Sequence, residues 1–257
     1  MTFDVAADSY DRFMGVYSAL LAPQLADLAA VAAGQRVLDV GAGPGALTAE
    51  LVARVQAGAV SAVEPSASFV DALRARQPGV DVRQGFAESL PYDDDEFDAA
   101  LAQLVVHFMR DPRAGLREMA RVTRPGGAVA ACVWDHAGGH TPLAPFWEGV
   151  HEIDPGADDE SGLAGAREGE LGELFRAVEL TDVVETTLTA EMPFARFEDW
   201  WELFTLGVGP AGAYVARLGP DDRNALADAC RRRLGDGPLT LRTRAWAVVG
   251  RVSRGGR

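Results

Sequence analysis

The 257-residue chain contains no lysine, so all 24 of its basic side chains are arginine. Against 38 acidic side chains they leave a formal net charge of −14. Neutralising nucleic-acid phosphates takes a basic face, so nucleic acid is not an expected partner. Anionic membrane surfaces are disfavoured for the same reason, and Arg231-Arg232-Arg233 is only a local basic run. Cysteine is scarce as well. Cys132 and Cys230 lie far apart and form neither a redox nor a metal-ligand spacing, and Cys132 sits in an apolar strand pattern as a reduced core residue. None of the four histidines stands with carboxylates at metal spacing, so no metal is expected. No uncharged run reaches membrane-spanning length, and the N-terminus has no basic region followed by an apolar stretch. A cytoplasmic protein with a small, neutral or cationic partner is the expectation. Absent lysine beside abundant Ala, Gly, Arg and Asp points to a GC-rich bacterial genome, an inference from codons rather than physics. With 48% hydrophobic residues the chain can bury a full core, and one elaborated domain is expected.

The richest stretch is Val37-Leu38-Asp39-Val40-Gly41-Ala42-Gly43-Pro44-Gly45. An apolar strand runs into a carboxylate, then a glycine loop, then an apolar helix. Gly41, Gly43 and Ala46 satisfy G-x-G-x-x-G/A, and Glu64 follows at about the distance of a ribose-binding acid, which admits a dinucleotide. Three residues weigh against one. Asp39 would face an incoming pyrophosphate, Pro44 lacks an N–H where a phosphate cradle needs donors, and Gly45 adds freedom the fingerprint does not require. A cofactor with an amino group and a sulfonium but no phosphate suits the loop better, and S-adenosylmethionine is such a molecule.

Three blocks extend the pattern: residues 36–64; Gly85-Phe86-Ala87-Glu88-Ser89-Leu90-Pro91 through Phe97-Asp98; and Arg117-Glu118-Met119-Ala120-Arg121-Val122 with Arg124-Pro125-Gly126-Gly127. In this order, over roughly residues 35–135, the sequence resembles the class I S-adenosylmethionine-dependent methyltransferases of the small-molecule, UbiE-like type. The resemblance implies that Gly41, Ala42, Gly43 and Gly45 approach the methionine part of the cofactor through their backbone. It implies that Asp39 receives the cofactor ammonium, directly or through water, or else braces the loop. Glu64, followed by Pro65, would bond both ribose hydroxyls. Phe86 departs from the family, which commonly has Asp there. The ring can pack on a purine, Ala87 N–H can bond an adenine nitrogen, and Glu88 is the candidate replacement acid. Ala102 would offer its carbonyl to the ammonium, and Gln103 would point toward the reacting methyl. Tyr10 and Met14, four apart on one helical face, are candidate cofactor caps.

Strands alternate with helices through Trp134, which implies a doubly wound, Rossmann-like α/β sheet with ligands beyond the carboxyl ends of the strands. The apolar spacing predicts a helix over 8–32, with Pro23 opening a fresh helical segment. Strands are expected over 36–40, 59–63, 80–83, 97–103 and 128–134, then 180–189 and 245–252. The resemblance makes the last two an antiparallel edge on an otherwise parallel sheet. Residues 1–34 then read as an N-terminal helical cap, 35–192 and 239–257 as the cofactor-binding core, and 193–238 as a helical lid insertion.

Trp134, Phe146, Trp147, Trp200, Trp201 and Phe204 are candidates for an aromatic acceptor pocket, Trp134 and Trp201 foremost. His136, just past the fifth strand, is the candidate base, whereas His107 is expected to be structural. The expected function is methyl transfer from S-adenosylmethionine to an O, N or C nucleophile of a small molecule. The alternatives are an NAD(P)-dependent oxidoreductase and a methyltransferase-fold protein that binds the cofactor without methylating. Oligomeric state is not legible in the sequence.

Overall fold

A computed structural model describes residues 7–253; residues 1–6 of the expected cap and 254–257 of the expected core lie outside the described residues. Seven strands form one sheet: β1 (Val37–Val40), β2 (Val60–Glu64), β3 (Asp81–Gln84), β4 (Phe97–Gln103), β5 (Thr123–Trp134), β6 (Thr181–Phe194) and β7 (Leu239–Arg251). Their order is β3-β2-β1-β4-β5-β7-β6. The first five pair in parallel, and β7 runs antiparallel to both β5 and β6. This is the expected α/β sheet with its antiparallel edge. Every residue of β1 and β2 is buried, as in parallel strands covered on both faces.

Ten α-helices are described: α1 (Ala7–Tyr10), α2 (Val16–Leu28), α3 (Ala46–Val55), α4 (Ala67–Arg76), α5 (Pro112–Val122), α6 (Ala144–Ile153), α7 (Glu170–Arg176), α8 (Phe197–Phe204), α9 (Gly209–Arg217) and α10 (Pro220–Leu234). One sheet face is covered by α2 and α3, through Leu21, Leu25, Leu47 and Leu51. Val70 and Leu73 of α4 pack against Ala62 and Val82. The other face takes α5 and α7, through Leu116, Met119, Leu171 and Phe175. Asp111 caps α5 by accepting the Ala114 N–H, with Pro112 in its first turn.

Three local expectations change. Pro23 lies inside α2 rather than opening a new segment. The break falls earlier, at the wider π-helical turn Asp11–Gly15 between α1 and α2. Strands β6 and β7 are several residues longer than the alternation implied, because they pair with each other from Thr181↔Arg251 to Phe194↔Leu239. Gly126-Gly127 does not precede the fifth strand but lies within it, with Gly126 at φ 78°. Helices α8, α9 and α10 fill the connection between β6 and β7, and with α6 and Phe13 they form a separate aromatic-rich core.

Candidate active site

The chain leaves β1 through the glycine loop and enters α3. Gly41, Gly43 and Gly45 all have positive φ, at 71°, 54° and 104°. A Cβ on Gly41 would lie 2.5 Å from a Val105 methyl, so glycine is required there by contact as well as by conformation. The loop spends its own donors internally. Gly41 and Ala42 N–H both donate to the Val63 carbonyl, at 2.8 and 3.1 Å, and Gly45 N–H donates to the Ala42 carbonyl at 3.0 Å. Gly43 N–H donates to Glu64 Oε2 at 2.9 Å, and Pro44 has no N–H to give.

Glu64 ends β2 at the mouth of the cleft. Its Oε1 accepts the Ser66 N–H at 2.9 Å, so each carboxylate oxygen holds one backbone donor and keeps acceptor capacity. Burial raises its pKa, and the two N–H groups oppose that rise. Asp39 is almost wholly buried beneath the loop. Burial pushes its pKa up to about 7, against the pull of the Thr48 hydroxyl, which donates to Oδ2 at 2.6 Å. The side-chain bond from Thr48 ties Asp39 to the first turn of α3. Thr48 escaped the sequence reading because it looks like any helical threonine.

Gly41, Glu64, Pro65, Phe86, Ala87 and Glu88 all line one open cleft. Residues separated by more than forty positions thus meet at one place. Phe86 is 54% exposed, with the Arg110 guanidinium 5.4 Å from its ring centroid. Glu88 Oε1 already accepts the Arg110 N–H at 2.7 Å, so it holds the turn before α5 as well as facing the cleft. Ala102 and Gln103 are not on the lining. Ala102 is fully buried in β4, and the Gln103 amide donates to the Ser18 carbonyl of α2 at 3.0 Å, which ties the sheet to the cap instead of facing the cleft.

Phe108 borders both this cleft and a second, smaller, mostly apolar cavity. Tyr10, Met14, Trp134 and His136 line that second cavity, as do His107 and Glu160. The start of α9 closes one side through Val208, Gly209, Pro210 and Ala211. Burial pushes the His136 pKa down to about 4 and that of His107 well below its ordinary value, so both rings are neutral at pH 7. Their centroids are 5.7 Å apart. Burial pushes Tyr10 up to about 12.

The expected aromatic pocket is only partly present. Trp134 lines the cavity, but Phe146, Trp147, Trp200, Trp201 and Phe204 do not. They pack on one another, with Phe146 and Phe204 stacked at 4.5 Å and Trp201 stacked on Phe197 at 6.3 Å. The three- and four-residue spacing of Phe197, Trp200, Trp201 and Phe204 serves contact between α8 and α6. Glu160 was missed because residues 135–170 are rich in glycine, proline and acid, where one more carboxylate looks solvated. Among the described residues no group of three or more His, Cys, Asp or Glu is placed to hold a metal ion, and no helix is long and apolar enough to cross a membrane.

A parallel sheet with a glycine loop after its first strand and an acid ending the second defines the Rossmann-like nucleotide-cofactor proteins. Residues 38–131 match the family described as methyltransferase domain. An uncharacterized methyltransferase of Mycobacterium tuberculosis is 39% identical over 135 residues, which is 52% of each chain. A demethylmenaquinone methyltransferase of Paenarthrobacter aurescens is 31% identical over 154 residues, 58% of each chain. The chain thus spans about half the length of the curated relatives it matches. The crystal structure of the YcgJ protein of Bacillus subtilis shares the fold, with a TM-score of 0.59 at 20% identity over 93% of this chain and all of that one.

Proposed function

We propose that the chain transfers a methyl group from S-adenosylmethionine to a small acceptor held in the cavity behind Phe108. The observation that carries this reading is the state of the glycine loop. Its N–H groups at 41, 42, 43 and 45 are all committed within the protein, and position 44 has none. Within residues 41–45 a pyrophosphate would find no free donor, and only the first turn of α3 is left to receive it. A cofactor without phosphate needs none, which favours this reading over a dinucleotide. Space also fits: a Cβ on Gly43 would meet nothing within 4 Å, so a ligand can approach the backbone closely.

Glu64 would hold the ribose hydroxyls with its remaining lone pairs, while Phe86 and Ala87 flank the base. When bound, S-adenosylmethionine supplies an electrophilic methyl on a sulfonium. The rest of the work falls to this chain: holding the acceptor in line and excluding water. Tyr10, Met14 and the start of α9 close the second cavity, so we assign the N-terminal helix and the 193–238 insertion the role of a lid. His136, kept neutral and weakly basic by burial, serves this reading better as a hydrogen-bonding group than as a base. A relative named for a menaquinone precursor supports a small acceptor.

Calorimetric titration with S-adenosylhomocysteine and, separately, NAD tests the reading. Binding of the first alone is expected; binding of NAD alone would reverse it.

A further inference from the structure

The second cavity is apolar in most of its lining, yet unsatisfied polar atoms gather around it. Among the described residues, His107 Nδ1, Trp134 Nε1, His136 Nε2 and Glu160 Oε2 are buried without a hydrogen-bond partner, and all four residues line this cavity. Glu160 is 3% exposed, His107 5% and Trp134 2%. Buried polar groups are nearly always paired, and each one left alone is costly. Four around one apolar space mark a place where a ligand completes the bonding.

The order of the cavities sets the orientation. Phe108 is shared with the cofactor cleft, whereas His136 and Glu160 are shared with a third pocket that has no lining residue in common with that cleft. With a cofactor in its cleft, Phe108 is the wall next to it, and Glu160 and His136 lie where the cavity adjoins the third pocket.

The inventory of unmatched atoms selects the ligand chemistry. A carboxylate oxygen accepts, an indole N–H donates, and a neutral imidazole does one at each nitrogen. A hydroxyl donates and accepts, and it carries no charge into an apolar space. An ammonium cannot accept from Trp134, and a carboxylate cannot donate to the ionised Glu160. We propose that Glu160 is a specificity-determining residue and that this cavity selects an apolar-bodied molecule bearing a phenol or alcohol hydroxyl, which Glu160 reads where the cavity adjoins the third pocket. The assignment rests on the cavity being the acceptor site. Burial raises the Glu160 pKa to about 7, against the pull of the Trp147 indole.

The test uses four ring-sized probes: p-cresol, toluene, benzylamine and benzoate. Each is titrated into the full chain while the indole N–H resonances of its five tryptophans are followed. p-Cresol should bind about five- to tenfold more tightly than toluene, the value of one net hydrogen bond, and should shift one indole resonance that toluene leaves in place. Benzylamine and benzoate should bind more weakly than p-cresol. Glu160→Leu should erase the preference for p-cresol over toluene, whereas Glu160→Gln, which keeps an acceptor, should retain it. Equal binding of toluene and p-cresol to the unmodified chain, tighter binding of benzylamine than of p-cresol, or a preference that survives Glu160→Leu would overturn the proposal. Calorimetry with S-adenosylhomocysteine on the same samples separates the two readings: loss of that binding overturns the methyltransferase assignment alone, and loss of the hydroxyl preference overturns this one alone.

Discussion

Glu64 does two things at once. Its carboxylate pins the glycine loop through Gly43 and the start of α4 through Ser66, and it faces the cofactor cleft. Glu64→Ala should weaken S-adenosylhomocysteine binding by about 100-fold in calorimetry, from lost bonds to a charged acceptor. Unchanged affinity would remove Glu64 from the cofactor site. Thr48 is the less visible partner. Thr48→Val keeps the shape but leaves the buried Asp39 Oδ2 without its donor. A loss of about 1–3 kcal/mol in denaturant unfolding is expected. The glycines, Asp39 and Glu64 were legible in the sequence because strand-end acids and glycine turns leave local signatures. Thr48 and Glu160 were not. Each is ordinary in its own window and acquires a role only from a neighbour distant in the chain or from the walls of a cavity.

At the scale of elements, the exposed edge of the sheet has its own protection. Strand β6 is an outer strand of 14 residues, and such edges invite pairing with other chains. Gln24, on α2, meets that edge with a side-chain amide. Its Nε2 donates to the Thr189 carbonyl at 2.8 Å, and its Oε1 accepts the Thr189 N–H at 3.1 Å, reproducing the two bonds of a strand partner. Gln24→Ala should cost about 1 kcal/mol and speed hydrogen exchange at the Thr189 amide, read by NMR. No alternation pattern could reveal this contact, because its partners lie 165 positions apart. The lengths of β6 and β7 were underestimated for a related reason: their ends over 190–194 and 239–244 hold few fully buried residues, and pairing between the two strands extends them.

At the scale of the molecule, stability reflects buried titrating groups that work against one another. Burial lowers the His136 pKa from 6.5 to about 4, so the unfolded chain binds its proton more readily. Stability from this ring is present above pH 6.5 and lost as pH falls toward 4, worth about 3 kcal/mol. Asp39 acts in the opposite sense. Its folded pKa of about 7 exceeds the ordinary 3.8, so the folded state holds the proton and stability declines as pH rises between those values. Asp39→Asn, which keeps an acceptor for Thr48, should therefore gain stability over the natural chain progressively from pH 4 to pH 7, then level off. Chemical denaturation at a series of pH values checks this, and a constant offset across that range would contradict it.

The sequence by itself determined the α/β class of the sheet, the glycine loop and the strand-end acids, because periodicity and turn chemistry are local properties. Tertiary structure alone decided that the tryptophan-rich helices build a second core. It also decided that the loop's N–H groups are already spoken for, and that Glu160, His136, His107 and Trp134 bring unsatisfied atoms to one cavity. The physical reason is that a hydrogen bond, or the lack of one, depends on which distant segment is brought within about 3 Å, and no window along the chain carries that distance.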